Sequence, residues 1–197
     1  MYSQESVGYR RRLKMPEQDI AMAVVVQRMV DSLCSGVMFT RSPTTGDRSV
    51  IAVEGSWGLG SSIVSGEVTP DMFIVNKVTG EISKRTIAPK AVQHLPDPAG
   101  NGVIEEAVSE DQQSVPCISD QEIQELAQIA RKVERHYGTP QDIEWAIERT
   151  GEFPDNIFLL QSRPETVWAG KDREAKPVAA PKARAFDHVI SALGGKK

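Results

Sequence analysis

Two apolar segments joined by a polar turn constrain this chain more than anything else in it. Gln141, Asp142, Ile143, Glu144, Trp145, Ala146 and Ile147 make up the first, and Phe158, Leu159, Leu160, Gln161, Ser162, Arg163 and Pro164 the second. Side chains two apart on a strand project from the same face, so Asp142 and Glu144 share a face that Ile143 and Trp145 do not. A sheet interior accepts carboxylates only where they meet a partner. The intervening residues 149–156 contain Gly151, Pro154, Asp155 and Asn156, the composition of a loop that closes a hairpin. Pairing then brings Gln161 and Arg163 beside the two carboxylates. Carboxylate and amide oxygens suit a hard cation such as magnesium, and a guanidinium suits phosphate. Magnesium with phosphate points to a nucleotide. The same spacing also describes ordinary exposed ion pairs across a hairpin, which are common and weak, and the residues alone leave both readings open.

Around this hairpin the sequence predicts strands first and a helix later. Residues 21–30, 36–40 and 49–53 are rich in Val, Met and Phe and read as an antiparallel meander. Residues 71–78 and 81–87, with Thr79 and Gly80 between them, read as another hairpin, residues 89–102 as a loop, and residues 103–108 as an edge strand. A helix is expected from Ser119, with Glu122 completing a capping box, and Gly138 and Pro140 ending it. Its apolar stripe, Ile123, Leu126, Ala127, Ala130, Val133 and Tyr137, should pack on the sheet. His136 on the last turn reads as a surface residue that complements the helix dipole, while His94 in the loop and His188 in the tail have no nearby carboxylate or serine motif.

Composition excludes several classes of function. The 197 residues are 40% apolar, enough to fill a core, and a net charge of -4 gives no reason to expect nucleic acid or an anionic membrane. No apolar run approaches the roughly 18 residues of a membrane span, and the start lacks the apolar segment of a secretory signal. Cys34 and Cys117 stand far apart without a metal-binding cluster, which fits a reduced, cytoplasmic setting.

Several motifs occur in an order that carries a resemblance. They are residues 22–30 (Met22 to Val30, including Gln27 and Met29), Ser35 to Thr40 with Pro43 and Thr45-Gly46, Glu54 to Gly60, Val68 to Asp71, and the hairpin itself. Together they resemble the ATP-binding domain of the phosphoenolpyruvate synthase family, which also includes pyruvate phosphate dikinase, rifampicin phosphotransferase and phenylphosphate synthase. The resemblance runs from about Tyr9 to Trp168. It implies an α+β fold, the C-terminal subdomain of an ATP-grasp domain, with a mainly antiparallel sheet and one long packed helix over residues 1–168. Residues 169–197 read as a Lys/Ala/Pro-rich linker or tail, in which Phe186, Val189, Ile190 and Leu193 would suit one short amphipathic helix.

The resemblance also implies a site. Glu144 and Gln161 would bind Mg2+ on the phosphates of ATP, Asp142 would support them, and Arg163 would contact the phosphates as the catalytic cation. Gln27 and Met29 are expected in the strand that edges the nucleotide, although a buried Gln and Met would look the same. Glu54 has a smaller part at the site, Arg41 a chance of reaching phosphate, and the Trp57-Gly58-Leu59-Gly60 loop reads as a structural turn. The family reaction moves a phosphoryl group from ATP to a histidine on a mobile domain and on to pyruvate or another acceptor, with AMP and phosphate released in the branch nearest this sequence. The first ATP-grasp subdomain, with its phosphate-binding lysine and arginine, and the phosphohistidine domain have no counterpart here. A protein partner or a homo-oligomer should therefore complete the site, and the chain alone should be inactive. The competing expectation is a non-catalytic, partner-binding or regulatory subunit of a larger synthase.

Overall fold

The computed structural model describes residues 3–12 and 23–168. The proposed helix in the tail lies outside them. Residues Gln4–Arg12 form a helix, α1, for which the sequence raised no expectation. The body begins with strands β1 (Ser32–Phe39) and β2 (Val50–Trp57), the short helix α2 (Ser61–Val64), and the hairpin of β3 (Asp71–Asn76) with β4 (Ile82–Thr86). A second hairpin pairs β5 (Val92–Pro96) with β6 (Val103–Ala107), and helices α3 (Glu110–Gln113) and α4 (Asp120–Tyr137) follow. Strands β7 (Gln141–Glu148) and β8 (Ile157–Pro164) come last. Six strands make one antiparallel sheet in the order β4-β3-β2-β1-β7-β8, and β5 with β6 makes a separate ribbon.

The expected α+β architecture, mainly antiparallel with one long helix, is therefore present. One face of the sheet carries Cys34, Met38, Ile51, Val53, Phe73, Val75, Ile143, Trp145 and Ile147, all buried. Against it lie Ile123, Leu126, Ala127 and Ala130 of α4. The helix begins as its sequence specifies. The Ser119 amide donates to Glu122 Oε2 (2.7 Å) and the Glu122 amide to Ser119 Oγ (3.3 Å). It ends at Gly138, whose φ of 70° is the left-handed cap only glycine adopts cheaply. Tyr137 departs from the expected stripe and lies exposed, its ring edge-on to His136.

Three strand assignments need correction. Residues 23–31 join no strand ladder, and Val24, Val25 and Val26 are 79%, 83% and 94% exposed. A β-branched run fits a strand only where neighbours flank it, and both edges of β1 are already taken by β2 and β7. The strand expected over 49–53 continues through Glu54, Gly55 and Ser56 to Trp57. Gly36 allows this close pairing, since a side chain there would strike the Glu54 carbonyl. The loop expected over 89–102 contains β5, because between Pro89 and Pro96 it has no turn former and Val92 and Leu95 pair with β6. A buried ion pair organises the approach to that ribbon. Lys90 Nζ meets Asp71 Oδ1 at 2.8 Å with both side chains fully buried, and Asp71 Oδ2 accepts the Cys117 amide at 2.9 Å.

Candidate nucleotide-phosphate site

Register fixes the site on the sheet face opposite α4. Val37 on β1 lies across from Glu54 on one side and Glu144 on the other, and Glu144 lies across from Gln161. Directly opposed residues share a face, so Glu54, Val37, Glu144 and Gln161 form one row across four strands. The next row holds Phe39, Asp142 and Arg163. Strands in a sheet are about 4.8 Å apart, which leaves Glu54 roughly 10 Å from Glu144, behind the intervening valine.

The four polar groups of the hairpin form two pairs. Gln161 Nε2 donates to Glu144 Oε1 at 3.4 Å, and Arg163 Nε stands 3.4 Å from Asp142 Oδ2. Both contacts are long. Glu144, Gln161 and Arg163 are exposed, the Arg163 side chain at 69%, so its partial pairing with Asp142 leaves the guanidinium able to turn to a ligand. Asp142 is the most buried of the four. Its Oδ1 is shut off from solvent with no hydrogen-bond partner among the described residues. Burial holds its carboxyl above the usual 3.8, with Arg163 pulling the other way. Glu54 is half-buried and its carboxyl is likewise raised by burial, from 4.5. An orphaned carboxylate oxygen on the same sheet face as a second carboxylate and an amide is a donor set whose chemistry fits a hard cation.

Beside this face opens a cleft of about 410 Å³, lined among others by Gln27, Met29, Val37, Ser61, Glu144 and Leu160. Gln27 and Met29 line the same cleft as Glu144, from an exposed segment outside the sheet rather than from a strand. Arg28 anchors that segment by donating to Glu148 Oε1 at 2.7 Å. A bulge in β8 opposite Glu144 and Trp145 gives the strand an extra residue, Leu160, which lines the cleft. Arg41 is not available to phosphate. It is buried, donates to the Gly46 carbonyl at 2.6 Å and stacks over the Trp168 ring.

The Trp57–Gly60 loop has the structural task expected of a turn and a place at the cleft as well. Gly58, at φ 70°, packs on the His94 carbonyl where a side chain would collide, and the Leu59 amide donates to that carbonyl at 2.8 Å. His94 itself contradicts the sequence reading. Its ring meets both a carboxylate, Glu67, and a serine hydroxyl, Ser61. These partners come from α2 and the segment after it, far away in sequence, and local spacing gave no signal of them. Cys34 and Cys117 are buried with thiols pushed far up by desolvation, which removes them as nucleophiles.

The fold and this face define an α+β domain whose antiparallel sheet presents carboxylates, an amide and an exposed arginine beside an apolar cleft. The comparison with known sequences gives the family: the chain belongs to the pyruvate phosphate dikinase AMP/ATP-binding domain family, whose profile matches residues 1–184. Among its relatives, the phosphoenolpyruvate synthase of Aeropyrum pernix is 40% identical over 89% of this chain, and that of Pyrococcus furiosus 35% identical over 98%. A rifampicin phosphotransferase of a Streptomyces species is 39% identical over 84%. The chain spans only 24%, 24% and 18% of those three relatives, respectively. Among the described residues, no helix is long and apolar enough to cross a membrane.

Proposed function

We propose that this chain is the C-terminal half of an ATP site, and that its β7–β8 hairpin holds the magnesium and phosphates of ATP for phosphoryl transfer to a histidine and onward to pyruvate or another acceptor. The observation that carries the reading is the register Asp142↔Arg163 and Glu144↔Gln161, which sets anionic and amide oxygens next to a cation on one open face. Glu144 and Gln161 present oxygens to the metal, and Asp142 supports them with its unpartnered Oδ1. Magnesium bound there would neutralise phosphate charge, and transfer of this kind depends on positioning and electrostatics more than on covalent help. Arg163 leaves its long contact with Asp142 to pair with phosphate. The cleft beside the hairpin takes the base and ribose, edged by Gln27 and Met29, while Glu54 keeps a lesser, through-space role.

The cleft is open and flanked by exposed Met29 and Val64. That supports completion by a partner, a first ATP-grasp subdomain or a second copy, before turnover with a phosphohistidine domain. The two buried thiols suit a reducing, cytoplasmic setting. Residues 1–168 would be the folded unit and 169–197 a linker. Calorimetric titration of magnesium-ATP into the chain tests the reading, repeated on a Glu144→Ala, Gln161→Ala double variant. The expected result is binding that the variant loses. Equal binding by both would refute the hairpin as the phosphate site.

A further inference from the structure

A second cluster of ligating groups lies outside the hairpin. His94 on β5 has Glu105 directly opposite it on β6, and Glu67, from the segment after α2, reaches the same place. One ligand atom from each of Glu67, His94 and Glu105 falls within 4.8 Å of the other two, and His94 Nε2 is 2.8 Å from Glu67 Oε2. The other ring nitrogen, Nδ1, meets Ser61 Oγ at 2.8 Å.

We propose that Glu67, His94 and Glu105 bind a zinc-type divalent ion through two carboxylate oxygens and the Nε2 of the imidazole. A metal-ligating histidine donates its other N–H to an acceptor, which fixes the tautomer and the ring plane, and Ser61 Oγ, 2.8 Å from Nδ1, would take that role once Nε2 gives up its proton to bind the metal. The backbone is held as firmly as the ring. The Leu59 amide is bonded to the His94 carbonyl, and Gly58 packs against it. The histidine side chain is 14% exposed, so its position costs little further entropy on binding. Bound to zinc at about 2.0–2.1 Å, neighbouring ligand atoms stand roughly 3.3 Å apart, so the Glu67–His94 pair opens by about half an ångström. The exposed carboxylates can make that movement, and water fills the fourth position. An imidazole with two carboxylates selects zinc and its first-row neighbours over magnesium, which prefers an all-oxygen shell.

The ion would join three elements that are separate in sequence: the segment after α2 and both strands of the ribbon. Ser61 lines the nucleotide cleft, so the metal would also stiffen one wall of that cleft. The site does not depend on the proposed ATP reading, and it is tested with zinc alone.

The experiment is a competition titration of Zn2+ against a chromophoric chelator on the metal-stripped full chain, with the d–d spectrum of the Co2+ form recorded alongside. One equivalent of Zn2+ is expected to bind in the micromolar range or tighter, with a four-coordinate Co2+ spectrum. His94→Ala should weaken binding at least 100-fold. Glu105→Gln keeps the Glu67–His94 pair and should still weaken it at least 10-fold, which separates ligation from any misfolding of the histidine variant. His136→Ala, on the exposed end of α4, should change nothing. Failure to compete at 100 µM Zn2+, or affinity that survives both His94→Ala and Glu105→Gln, would overturn the proposal.

Discussion

At the scale of single residues, the site sets function against stability. Asp142 and Glu54 both have carboxyls raised by burial, so each folds more readily protonated than charged. The sign follows directly. For a folded pKa above the unfolded one, the native state binds more protons between the two values, and stability falls as pH rises through that window, starting from about 3.8 for Asp142 and 4.5 for Glu54. Glu54→Gln should therefore raise the melting temperature at pH 7 and flatten the loss of stability from about pH 4 upward, as scanning calorimetry across pH would record. An unchanged pH profile would count against the burial of that carboxylate. Glu144 is exposed and its contact with Gln161 is long, so Glu144→Ala should leave the melting temperature nearly unchanged while weakening magnesium-ATP at least 10-fold, about 1.4 kcal/mol. Much of this was legible in the sequence, because period-two alternation assigns faces without knowledge of the fold. Arg41 was not legible, since its burial under Trp168 depends on a contact between residues far apart along the chain.

At the scale of elements, caps and alternation succeeded where partners were local and failed where they were distant. Helix α4 could be read from Ser119 to Gly138 because its capping box and its glycine stop lie within the helix itself. Ser119→Ala should cost about 1 kcal/mol in urea unfolding. The run at 23–31 misled because β-branched composition reports fitness for a flanked strand, and tertiary structure supplied no flank. Strand β5 was missed because the turn residues 97–102 coloured the reading of the segment before them. The Asp71–Lys90 pair had no signal at all, although it ties the start of β3 to the approach to β5 and to Cys117. Removing one member of a buried pair strands the other charge. Asp71→Ala is accordingly expected to cost about 3–5 kcal/mol, read as a lowered urea midpoint. A loss below about 1 kcal/mol would mean that solvent reaches the pair.

For the whole molecule, the central claim is that one sheet face of this chain is half of a nucleotide site. The open cleft and the exposed Val24, Val25, Val26 and Met29 make a surface that monomers rarely leave bare, so light scattering at high concentration should show self-association. The most direct test is nuclear magnetic resonance of the isotopically labelled chain with manganese-ATP, whose paramagnetic ion broadens only nearby amides. The account predicts that the amides of Asp142, Glu144, Gln161 and Arg163 broaden first, and that Glu144→Ala with Gln161→Ala abolishes the effect. Broadening centred elsewhere, or none at saturating nucleotide, would contradict it.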